Sequence, residues 1–91
     1  MKKIKDSFIV LNDQGLHTRP ATELVKCVSR YRSIVKLFYH DLEVNAKSLL
    51  GILMLAAERG AKVRIEAEGE DAQEVINELI SLSKDKFHIR Y

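Results

Sequence analysis

Lys62-Val63-Arg64-Ile65-Glu66-Ala67-Glu68 alternates charged and apolar residues without a break. Successive side chains of a β-strand point to opposite faces. The segment therefore predicts a strand with Val63, Ile65 and Ala67 on a buried face and four charges on a wet one. A sheet that is wet on one side must be covered on the other, and the rest of the chain has to supply the cover. Gly69-Glu70-Asp71 ends the strand. Asp71 is placed to cap a helix whose apolar stripe is Ala72, Val75, Ile76, Leu79 and Ile80. A second stripe, Ala21, Leu24, Val25 and Val28, follows Pro20, a residue suited to a first helical turn because its missing N–H would have no partner there. Leu49 to Ala57 predicts a short third helix, ended by Gly60 after Arg59.

Further strands complete the sheet. Ile4, Phe8 and Val10 share one parity, with Lys5 and Ser7 on the other, although Ile9 and Leu11 blur the contrast. Ile34 to Tyr39 is β-rich, with Val35 and Leu37 inward, and His40-Asp41 turns it into Leu42 to Val44. The order is β-α-β-β-α-β-α. It predicts an α+β fold, a two-layer open-faced sandwich in which three helices lie on one face of a four-stranded antiparallel sheet. The expected unit is a single domain over 1–91, with its core at about 3–83. Residues 84–91 form a tail that is a short strand, a partner contact or a frayed end.

Composition excludes several classes of function. With 15 basic and 13 acidic residues the net charge is +2, too balanced for a dedicated nucleic-acid binder, and no glycine clamp or aromatic platform motif is present. The richest apolar run, Leu49 to Ala57, is about half of the roughly 20 residues a membrane span needs. The N-terminus, Met1-Lys2-Lys3-Ile4-Lys5-Asp6, lacks the apolar core of a secretion signal, so the expectation is a cytoplasmic protein without membrane insertion. Cys27 is the sole cysteine and reads as a filler thiol inside a helix. His40 and His88 read as surface residues without ligand partners, and no metal site is expected.

The chemistry concentrates at Gly15-Leu16-His17-Thr18-Arg19-Pro20-Ala21. Asn12-Asp13-Gln14-Gly15 is turn-rich, and His17 sits where the turn becomes a helix. A helix start carries unpaired N–H groups and partial positive charge, which together favour an anion. Arg19 offers a planar, permanently charged donor fork, and Gly15 lets the loop bend without a Cβ clash. Imidazole is a good nucleophile that titrates near neutrality as a side-chain class. Nucleophile and anion pocket together suit reversible phosphoryl transfer, which is mostly positioning and charge stabilisation. The rival reading is that His17 caps the helix and Arg19 is solvated surface.

That segment resembles the active-site motif of the HPr family of bacterial phosphocarriers. Ala46-Lys47-Ser48-Leu49-Leu50-Gly51 resembles the family's regulatory-serine segment, and Glu66-Ala67-Glu68-Gly69-Glu70-Asp71 its last strand and turn. The likeness runs from Lys3 to about Leu82 with the same order of elements. It implies a covalent carrier rather than a turnover enzyme, with no cofactor. His17 takes phosphate on Nδ1 from the phosphohistidine of Enzyme I, charged by phosphoenolpyruvate, and passes it to an Enzyme IIA component of the sugar phosphotransferase system. Arg19 and the backbone of Thr18 and Arg19 steady the phosphoryl group. Leu49, Leu50, Leu53 and Thr22 form the partner-docking surface, with Ile52 and Leu55 in the core, and the protein is expected to be a monomer.

From the residues alone Ser48 is a helix N-cap, and Gly51 at the third position rules out a reciprocal capping box. The resemblance adds a regulatory role. In many Gram-positive members this serine is phosphorylated by an HPr kinase/phosphorylase, a dianion that a helix N-terminus tolerates, whereas enteric-type members keep it without that use. The alternative function is a regulatory HPr paralogue acting through phosphorylated Ser48 on a transcription factor, or in a nitrogen-related branch. Two departures from the family are visible: His40-Asp41 replaces the usual Asn-Gly turn, and the chain runs on past Lys84.

Overall fold

The computed structural model describes residues 2–90. Four strands, β1 (Lys3–Ile9), β2 (Ile34–Tyr39), β3 (Leu42–Asn45) and β4 (Lys62–Glu68), form one antiparallel sheet in the order β1-β4-β2-β3. The helices are α1 (Thr18–Ser29), α2 (Leu49–Leu55) and α3 (Ala72–Lys84), and a short 3₁₀ turn covers Lys86–His88. This is the predicted α+β architecture, and register shows how parity builds it. Phe8 stands opposite Val63, Leu37 opposite both Ile65 and Val44, and Ala67 between Ile4 and Val35. These inward residues join the helix stripes in one core, with Val35, Leu37, Val63, Ala67, Leu24, Val28, Ile52, Val75, Ile76 and Leu79 fully buried. Lys5, Lys62 and Arg64 line the wet face. Ile9 and Leu11, which blurred the sequence pattern, are exposed.

Cys27 is buried on the inner side of α1, and burial raises the pKa of its thiol, although Arg30 pulls the other way. It fills space, as expected. His40 takes the left-handed backbone of the β2–β3 turn at φ 54°.

Three local expectations are corrected. α2 ends at Leu55, and its left-handed cap is Ala56 (φ 51°), not Gly60. Gly60, at φ +87°, instead donates its N–H to Val10 O at 2.8 Å and turns the chain into β4. Beyond the cap, Ala57 leaves the helical path: it is buried, and its carbonyl accepts from Leu16 N–H.

Asp71 occupies the N-cap position of α3 but makes no side-chain cap bond. Its carboxylate accepts from the N–H groups of Arg32 (2.8 Å) and Ser33 (2.9 Å) and from the Ser33 hydroxyl, tying the start of α3 to the loop before β2. These bonds, the Ser33 hydroxyl first, hold its pKa below the usual aspartate value.

The segment after α3 is neither a strand nor a frayed end over its described residues. Phe87 is fully buried, with its ring edge-on to Phe8 at 6.0 Å, so the core reaches past residue 83. Tyr91, the last of the weak alternation seen in the sequence, lies outside the described residues.

Candidate functional site

Three backbone pins shape the loop between β1 and α1. Val10 N–H donates to Ala61 O at 2.9 Å, Gly15 N–H closes a turn on Asn12 O at 3.0 Å, and Leu16 N–H donates to Ala57 O at 2.9 Å. Gly15 has φ +73°, and a Cβ there would stand 2.4 Å from Ala57 O and 2.9 Å from Glu58 Cα. Only glycine combines that φ with that approach. Buried Leu16 then anchors the chain, and His17 follows it.

His17 is the N-cap residue of α1 by its backbone: its φ is −80° and ψ −167°, and its carbonyl accepts from Ala21 N–H at 3.0 Å. Its side chain makes no capping hydrogen bond. The capping of α1 is therefore done by the His17 backbone and not by its imidazole. The Nε2 atom is buried while the residue as a whole is half-exposed.

The first turn of α1 holds no acidic residue that would neutralise its positive end. Pro20 has no N–H, and that of Ala21 goes to His17 O, so the donors outside the helical ladder belong to Thr18 and Arg19. Arg19 is exposed beside them. Thr22 is half-buried and turns its hydroxyl back onto Thr18 O at 2.7 Å. A nucleophilic ring, a helix start and a guanidinium are thus gathered within three residues.

Ser48 caps α2 as expected from its position, with Oγ accepting from Gly51 N–H at 3.0 Å. α1 packs on α2, so His17 and Ser48 begin two neighbouring helices. Ile52 and Leu55 are in the core. Of the three leucines assigned to docking, Leu50 is 69% exposed and Leu49 37%, whereas Leu53 is half-buried and packs against the core. Met54, outside that assignment, is 63% exposed. Its spacing of i+4 from Leu50 puts the two on one face, and that was the signal available in the sequence.

Among the described residues no three His, Cys, Asp or Glu side chains gather as a metal site requires. No helix among them is long and apolar enough to cross a membrane.

The comparisons with known proteins agree with this geometry. The family described as PTS HPr component phosphorylation site matches residues 4–85. The phosphocarrier protein HPr of Xylella fastidiosa (strain 9a5c) is 35% identical over 85 residues, 93% of this chain and 96% of that protein. The crystal structure of HPr-C-His from Thermoanaerobacter tengcongensis superposes with a TM-score of 0.89 at 35% identity, covering all of both chains. An HPr dimer from the same organism superposes with a TM-score of 0.75 at 36% identity, covering 96% of this chain and 98% of that one. A relative solved as a dimer leaves the expected monomer to experiment. The matching fold and the length of the sequence match together place this chain in the HPr family, the phosphocarrier proteins of the phosphotransferase system.

Proposed function

We propose that His17 is the phosphoryl acceptor, charged by the phosphohistidine of Enzyme I and discharged onto a histidine of an Enzyme IIA component. The observation that carries this reading is a histidine at the start of α1 whose ring makes no capping bond and whose Nε2 is buried. Burial of Nε2 favours Nδ1 as the nitrogen a donor can reach. In the charging step the Nδ1 lone pair forms a P–N bond while the donor's P–N bond breaks, and the electron pair returns to the donor ring. The second step repeats this exchange on the next histidine.

Arg19 and the N–H groups of Thr18 and Arg19 hold the equatorial oxygens, a task for preorganised donors in an electropositive place. Leu49, Leu50 and Met54, beside half-buried Thr22 and Leu53, offer the apolar surface on which both enzymes dock. The phosphoryl group originates in phosphoenolpyruvate, and the chain works in the cytoplasm as a carrier rather than a turnover enzyme, without a cofactor of its own. It acts as a single copy, which sedimentation at working concentration tests.

Ser48 is a second, separate acceptor in this reading, modified by an HPr kinase/phosphorylase. Its hydroxyl already meets Gly51 N–H, so a phosphate there adds charge with little refolding and obstructs docking on α2.

Incubation with phosphoenolpyruvate and Enzyme I tests the first acceptor. Acid-labile phosphate on the wild type, lost in His17→Ala, supports it; no labelling by a cognate, active Enzyme I sinks it. Acid-stable phosphate from ATP and the kinase, lost in Ser48→Ala, tests the second.

A further inference from the structure

Among the described residues Asn12, Ser33 and Ser83 are buried polar residues that the proposed transfer does not use, and of these three only Asn12 keeps a side-chain atom without a hydrogen bond. Asn12 is fully buried in the loop that leads to His17. Its Nδ2 donates to Lys86 O at 2.9 Å, across 74 positions of sequence, and its own carbonyl accepts from Gly15 N–H at 3.0 Å. Its Oδ1 has no hydrogen-bond partner among the described residues. An apolar side chain would fill this space without an orphaned oxygen, so packing alone does not account for an asparagine here.

The other end of the tie is also unusual. Lys86, Phe87 and His88 run consecutively at φ 54°, 55° and 66°, a left-handed stretch without a glycine. Such a stretch persists only where its surroundings determine it. Here Phe87 is locked in the core against Phe8, and His88 Nδ1 meets Asp85 Oδ2 at 2.7 Å. A fixed carbonyl is therefore presented to Asn12.

We propose that Asn12 is a positioning residue for His17, coupling the loop to the left-handed C-terminal turn so that residues 86–88 set where the imidazole stands. This rests on the reading of His17 as the phosphoryl acceptor. None of the three backbone pins, at Val10, Gly15 and Leu16, involves the Asn12 side chain, so its loss removes only the tie between the loop and Lys86 O.

The test is steady-state transfer from Enzyme I with Asn12→Ala and Asn12→Leu. The leucine keeps a similar volume but loses the donor without burying a charge, and it stands in should the alanine variant fail to fold. Ile76→Val in α3 is the control for general destabilisation. A displaced ring lowers kcat by roughly tenfold or more, with KM for the carrier unchanged because the docking surface on α2 is untouched, and Ile76→Val keeps wild-type kcat. Folded Asn12 variants with wild-type kcat, or with a raised KM alone, overturn the proposal. If Ile76→Val loses kcat to the same degree, it is overturned too. Absence of labelling on the wild type sinks the reading of His17 and this inference together, whereas a labelled wild type with unchanged variants sinks this inference alone.

Discussion

Replacing Gly15 by alanine separates backbone strain from displacement of the site. The new Cβ would meet Ala57 O at 2.4 Å, and ordinary contact begins at 3.4 Å, so the loop has to retreat by about 1 Å. Both clashing groups are backbone and cannot rotate away. The retreat stretches the bond from Leu16 N–H to Ala57 O, now 2.9 Å, and carries the adjoining His17 with it. A misplacement of about 1 Å costs roughly a hundredfold in a positioned transfer. The left-handed φ of +73° adds about 1–2 kcal/mol for a residue with a Cβ, and a weakened backbone bond about 1 kcal/mol more. Together they amount to about 2–3 kcal/mol, or a Tm lower by about 10 °C or more in a domain of this size.

Gly60→Ala is the matched comparison. Its φ is +87°, and nothing lies within 4 Å of the new Cβ, so it carries the conformational cost alone. It should lose about 1–2 kcal/mol and keep its transfer rate. Thermal unfolding and single-turnover phosphorylation by Enzyme I measure both quantities. Wild-type transfer in Gly15→Ala, or equal loss in the two variants, would refute the claim that the close approach at Ala57 places His17.

Two further outcomes follow from burial and charge. Leu50→Asp, at a side chain 69% exposed, should change stability by less than about 0.5 kcal/mol while raising KM with Enzyme I; Ile52→Ala, two residues on and fully buried, should cost about 2–5 kcal/mol. Asp71 contributes stability through its bonds to Arg32 and Ser33, and its folded pKa lies below its ordinary one. That contribution is complete above the unfolded value near 3.8 and is lost as pH falls through the folded value. Urea midpoints should accordingly drop below about pH 4, less steeply in Asp71→Asn.

Everything that rests on spacing within one element could be read directly from the residues. Alternation from Lys62 to Glu68 and the stripes at i, i+3, i+4 and i+7 fix which face of each element is dry, because strand and helix periods differ. The same is true of Ser48, whose oxygen meets an N–H three residues on, and of His17, placed at a helix start by its neighbours Gly15 and Pro20. What could not be read there depends on which distant segments meet. Asp71 looks like a cap because aspartate before an apolar stripe usually is one, yet Ser33, 38 positions away, competes for its carboxylate and wins. Asn12 looks like a turn residue, and only the packing of Phe87 under Phe8 brings Lys86 O to it and buries it. Spacing puts Met54 on one face with Leu50, but which face of α2 is wet is decided only when the core covers Ile52 and leaves Leu50 and Met54 in water. Short-range geometry belongs to the chain itself, whereas burial and long-range partners are properties of the assembled core.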